Sequence, residues 1–169
     1  MIPPAECQQA LAIGGVDPVP LDALHITMIG VGSTDDVAEK HIDGLISVAR
    51  EHLSDVRPFD LTVGPLSGSR SAIRFSVAPW DPLLELHQLL STCTGEVLRS
   101  VASAARIRPH LESLTTTLTV LLFEVVDAVA ELRGAGRVNV RVNQVDLVVL
   151  RREDHTYRWN TRAVLALGG

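Results

Sequence analysis

Two residues in one short segment are of the right types, at the right spacing, to work on a phosphate. The run LDALHITMIGV over 21–31 is rich in branched apolar residues and closes on Gly30 and Gly32, the pattern of a buried strand ending in a turn. Positions i and i+2 of a strand share a face, so His25 and Thr27 present an imidazole and a hydroxyl side by side. Ile26 and Met28 then turn into a core. A hydroxyl donates to a non-bridging phosphoryl oxygen, and an imidazole that titrates near neutrality takes or gives a proton. A buried His-x-Thr pair also serves as ordinary structure, so the segment by itself leaves both readings open. Tyr157 and Trp159 alternate with Thr156, Arg158 and Asn160, which puts both rings on one side of a strand. They read first as core, and second, at a cleft mouth, as a platform for a nucleobase. His41, His52 and His87 fall on helices and His155 in a polar turn, where structural histidines are common. Arg108, Arg151, Arg152 and Arg158 are either surface charge or contacts for a second phosphate.

The elements that must hold these groups alternate between strand and helix. Ser33 or Thr34 is placed to cap a helix, DDVAEKHIDGLISVAREHL, whose apolar residues Val37, Ile42, Leu45, Ile46, Ala49 and Leu53 recur at helical spacing. FDLTV and SAIRFSVAPW alternate on either side of GPLSGS, which predicts a hairpin turning at that Gly/Pro/Ser cluster. Asp81 and Pro82 look like the cap and first position of a helix through LLELHQLLSTCTGEVLRSV. RIRPHLESL is a short strand candidate that holds a second histidine, His110. A threonine-rich stretch follows, then a helix VLLFEVVDAVAELRG stopped by Gly134 and Gly136. VNVRVNQVDLVVLRR and TYRWNTRAVLAL, separated by EDH, predict a closing hairpin. The order is α+β, too poor in βαβ units for a doubly wound sheet. A histidine on a strand that leads into a helix occurs twice.

Composition narrows the classes. A chain of 169 residues with 46% hydrophobic and 21% charged residues has the makeup of one packed domain over 1–169, and not of a disordered or coiled-coil protein. Cys7 and Cys93 stand far apart without histidine neighbours at ligand spacing, which predicts neither a zinc site nor a disulfide framework and suits a reducing compartment. The opening MIPPAECQQALAIGG lacks the basic and apolar blocks of an export signal, and no run approaches the roughly 20 apolar residues of a membrane span, so a cytoplasmic location is expected. A net charge of -5 argues against a general nucleic-acid coat while leaving room for one locally bound phosphate.

The segment Leu24-His25-Ile26-Thr27-Met28-Ile29-Gly30, with Arg-Pro-His110 opening a later strand, resembles the two-histidine (2H) phosphoesterase family, also called the 2′-5′ RNA ligase-like family, whose mark is two copies of His-x-Thr/Ser-x. VGPLSGSRSAIRFSVAPWDPLLELHQLL looks like its middle hairpin and helix, and VDLVVLRREDHTYRWNTRAVLALG like its closing strands. The second copy departs from the pattern. It reads His110-Leu111-Glu112-Ser113, with a carboxylate in place of the hydroxyl, so either the strand bulges and Ser113 supplies the hydroxyl, or this half of the site is altered. The opening also departs, since the first twenty residues carry no clear aromatic strand, which implies a shortened or irregular edge there.

The resemblance implies a bilobal α+β fold: two antiparallel or mixed sheets in a pseudo-twofold relation about a central cleft, with helices outside. It implies a metal-free, cofactor-free enzyme that hydrolyses or transesterifies a phosphodiester on a ribose, a 2′,3′-cyclic phosphate or a 2′-5′-linked RNA end. His25 and His110 are then the acid/base pair, with Thr27, Ser113 and Tyr157 binding substrate. The expected partner is an RNA end or nucleotide, with no membrane or protein partner and a monomeric state. The rivals are a descendant of the same fold that binds a nucleotide or RNA end without turnover, and a structural or interaction domain in which both histidines are core residues.

Overall fold

A computed structural model of the chain describes residues 16–68, 72–98, 110–116, 129–130, 136–153 and 156–168. Its elements are mixed helix and strand, and all strand pairings are antiparallel. Five strands form one sheet: β1 (Val16–Pro18), β2 (Phe59–Gly68), β3 (Ala72–Ala78), β4 (His110–Thr116) and β5 (Val138–Val142), in the spatial order β1-β4-β3-β2-β5. Two more strands, β6 (Gln144–Glu153) and β7 (Thr156–Ala166), form a separate ribbon. The helices are α1 (Glu39–Leu53) and α2 (Asp81–Leu98).

The two helices and β3 bury the stripes their sequences offer. Leu45, Ala49 and Leu53 of α1 meet Leu86, Leu90 and Cys93 of α2, Leu165 near the end of β7 and Leu167 just past it in one apolar cluster. A second cluster joins Leu61 of β2, Val77 of β3 and Leu83 of α2. On β3, Ile73, Phe75 and Val77 are buried while Arg74 and Ser76 alternate to the other face. Cys93 is a buried free thiol, and burial, followed by the charge of Glu96, pushes its pKa above the ordinary value.

Several expected boundaries move. The segment 24–33 belongs to neither sheet: a 3-10 turn at Leu21–Ala23 precedes it and the chain then runs without ladder partners. Its side chains still alternate, since Ile26 and Met28 pack on the sheet's apolar cluster while Thr27 is exposed. Alternation in a sequence records burial, which an extended chain achieves without strand pairing. Ser33 caps a separate turn and not α1, for its hydroxyl accepts from the Asp35 N–H at 3.3 Å and its carbonyl from Asp36 and Val37. The helix starts later, behind Ala38, with no side-chain cap.

The middle hairpin is present, yet β2 runs through the cluster that predicted its turn. Gly64 and Pro65 together stand opposite one residue of β3, a bulge at which Gly64 takes φ 114° and the Gly64–Pro65 peptide is cis. The closing hairpin loses its first five residues. Val138–Val142 pairs with β2 as the sheet's edge, and Asn143 separates it from β6, which alone pairs with β7. The helix expected over 120–134 lies outside the described residues except for Val129 and Ala130, which are helical, and Val129 is buried.

Candidate active site

The 3-10 turn sets the position of His25. Ala23, buried, closes the turn by donating its N–H to the Pro20 carbonyl at 2.8 Å, and its own carbonyl oxygen lies 2.8 Å from His25 Nδ1. A carbonyl only accepts, so Nδ1 carries the hydrogen, and the neutral ring keeps its lone pair on Nε2. Two aromatic rings of β7 hold the imidazole edge-on: Tyr157 with centroids 6.0 Å apart at 86°, and Trp159 at 5.2 Å and 71°. All three rings are half-buried, while Arg158 and Asn160, between and after the aromatics, are exposed. Tyr157 and Trp159 thus share one side of the strand, as their alternation predicts, and on that side both contact His25. The ring of Trp159 is nearer to His25 than that of Tyr157, and the signal for it in the sequence is the shared side of the strand.

The second histidine is placed by the backbone. His110 is the first residue of β4 and stands opposite Ser76 of β3. Further along, Arg74 pairs with Glu112 and Ile73 with Leu114, which leaves Ser113 as the extra residue of a bulge. Of the other residues considered, His41 and His87 are half-buried on α1 and α2 and His52 is exposed on α1. Arg151 and Arg158 face each other across the ribbon, both exposed, and Arg152 is the register partner of Tyr157. Arg108 and His155 lie outside the described residues. Among the described residues no three His, Cys, Asp or Glu side chains gather into a metal-binding group.

A sequence profile described as the 2′-5′ RNA ligase superfamily matches residues 5–154. The chain belongs to this superfamily. No protein of curated function matches it by sequence. Solved structures are similar in fold: TT0787 of Thermus thermophilus, at TM-score 0.70 and 15% identity, covers 98% of this chain and 92% of its own. E. coli LigT in its apo form, at 0.67 and 16%, covers 100% and 94%. LigT complexed with 3′-AMP, at 0.66 and 16%, covers 95% and 84%. At these identities the likeness establishes the fold. Within the superfamily fold, the first His-x-Thr of this chain is an exposed hydroxyl beside an imidazole of fixed orientation, and the second motif opens a strand that bulges at Ser113.

Proposed function

We propose that the chain is a phosphoesterase acting on a ribose 2′ or 3′ phosphodiester, either a 2′,3′-cyclic phosphate or a 2′-5′-linked RNA end, with His25 and His110 as its acid/base pair. The observation that carries the reading is the hydrogen bond from His25 Nδ1 to the Ala23 carbonyl, which leaves Nε2 as the proton-exchanging atom. Membership of the 2′-5′ RNA ligase superfamily supports the substrate class. LigT's complex with 3′-AMP supports a nucleoside monophosphate as a product-like ligand.

The chemistry needs two proton transfers on opposite sides of phosphorus. One imidazole takes a proton from water as the water oxygen bonds to phosphorus. The other gives a proton to the ribose oxygen as its bond to phosphorus breaks, leaving a 2′ or 3′ phosphomonoester and a free hydroxyl. With a ribose hydroxyl in place of water the same steps join two nucleotides. Each imidazole contributes about 10²–10⁴ in rate. Thr27 and Ser113 donate to the phosphoryl oxygens as charge moves onto them, and Tyr157 flanks the base. The bulge at Ser113 supports its part, since a bulge re-aims a strand's side chains. Both proton transfers are assigned to side chains, so turnover is expected to persist in chelator.

Turnover of a panel of 2′,3′-cyclic nucleotides and 2′-5′-linked dinucleotides, in chelator, tests this. Wild type should act on at least one member, and His25→Ala and His110→Ala should each lower kcat by about 10²-fold or more. Full activity in either variant would remove that histidine from the reaction. Glu112 favours one second reading, a protein that binds nucleotides without turning them over. A folded wild type that binds 3′-AMP and is inert across the panel would establish it.

A further inference from the structure

Glu112 is the residue that departs from the family motif, and the sheet register gives it a counterpart. Ser67 of β2, Arg74 of β3 and Glu112 of β4 form one cross-strand row, and the Ser67 hydroxyl donates to the Arg74 carbonyl at 3.3 Å. Arg74 and Ser76 alternate away from the buried Ile73, Phe75 and Val77. Since His110 stands opposite Ser76, the rows of Arg74–Glu112 and Ser76–His110 belong to the same face of the sheet, the one turned from Leu83. A half-buried arginine thus sits directly across the ladder from Glu112, on the face to which the second histidine belongs.

We infer that Arg74 and Glu112 work as a charge pair at the second half of the site, Glu112 orienting the guanidinium and Arg74 taking a phosphoryl oxygen of the ligand. This rests on the reading above that the site receives a phosphate-bearing ligand, and it adds a cationic contact to the hydroxyl of Ser113. A guanidinium has five N–H donors in a planar fork. A carboxylate occupies two of them, and the remaining edge matches a phosphate. A carboxylate with no cation beside it would repel the same ligand, so the two arrangements predict opposite effects for one substitution.

The test is titration of wild type, Arg74→Gln, Arg74→Lys, Glu112→Gln and the Arg74→Gln/Glu112→Gln double variant with inorganic phosphate and with 3′-AMP, read by NMR shifts, each protein first shown to be folded by circular dichroism. Arg74→Gln should weaken binding about 10- to 100-fold, the loss of a hydrogen bond to a charged group, with Arg74→Lys between it and wild type. Glu112→Gln should weaken binding severalfold in the wild-type background and strengthen it in the Arg74→Gln background, where it removes an unneutralised anion. Tighter binding by Glu112→Gln alone, or unchanged affinity in Arg74→Gln, overturns the pair. Binding and turnover are separate readouts: the reversal of sign in a protein inert on the cyclic and 2′-5′ panel would uphold the pair and reject the enzyme, whereas a wild type that binds neither probe rejects both.

Discussion

His25 shows how much of a proposed acid/base group is set by its immediate contacts. Its tautomer follows from one backbone carbonyl and its tilt from two aromatic rings, so a change at Trp159 should act on the reaction through the imidazole. An aromatic pair is worth about 0.5–1.5 kcal/mol. Trp159→Leu is therefore expected to lower kcat about 2- to 10-fold with a smaller change in KM, and the imidazole resonances should broaden in the variant while 15N spectra keep the Nδ1–H tautomer that the Ala23 carbonyl sets. Imidazole resonances identical to those of wild type would mean that the Ala23 hydrogen bond alone fixes the ring. Cys93 makes a contrasting case, a titratable residue fitted to the core. Burial raises its pKa above the ordinary 9.0, so between that value and the raised one the folded chain binds more protons than the unfolded chain. Stability should therefore decline as pH rises through this window, and Cys93→Ala should flatten that decline. At neutral pH, in a Cys7→Ser background, Cys93 should react with a thiol reagent only as fast as the protein opens.

At the scale of elements, the sequence announced burial more faithfully than pairing. The helical spacing of Leu45, Ala49 and Leu53 was legible because an amphipathic stripe is a local property, and the start of α2 was legible in Asp81 and Pro82 for the same reason. The alternation around His25 was legible too, and it suggested a ladder that does not form, because ladder partners come from elsewhere in the chain. The same limit applies to Ser113. Its two alternatives were visible in the motif, while the bulge depends on the register of β3 against β4. Gly64 is the clearest case of a residue whose turn-like type serves a strand interior. Its φ of 114° is one that residues with side chains rarely adopt, and a Cβ there would stand 3.0 Å from the Gly136 carbonyl oxygen. Gly64→Ala should lose about 1–3 kcal/mol, the cost of a non-glycine residue held at such an angle, measurable as a lower midpoint in urea. A stability equal to wild type would show that β2 can pass this point without its bulge.

For the whole molecule, the strand that flanks His25 is tied to the helical layer at its far end. β7 runs from Tyr157 and Trp159, beside the imidazole, to Leu165 and, just beyond it, Leu167, both buried against α1 and α2. Past the strand, the Leu167 N–H donates to the Asn143 carbonyl at 2.8 Å and the Gly168 N–H to the Leu53 carbonyl at 2.9 Å, where Leu53 is the last residue of α1 and is fully buried. Gly168 fits because it lacks a side chain: a Cβ would overlap the backbone carbonyl of Ser54. That neighbour is main chain at a helix end and cannot swing aside as a flexible side chain does, so Gly168→Ala must displace either the tail or the end of α1. The expected cost is about 1–3 kcal/mol, the range for overpacking a well-filled site. Because β7 links the two ends, the same variant should also loosen the aromatic contacts of His25, broadening its imidazole resonances although the substitution lies at the opposite end of the strand. Urea unfolding and the imidazole spectrum, measured on one sample, separate the two effects. A loss of stability with an unchanged imidazole would confine the clasp to the helical layer, and no change in either would show that the chain's last residues do not hold β7 in place.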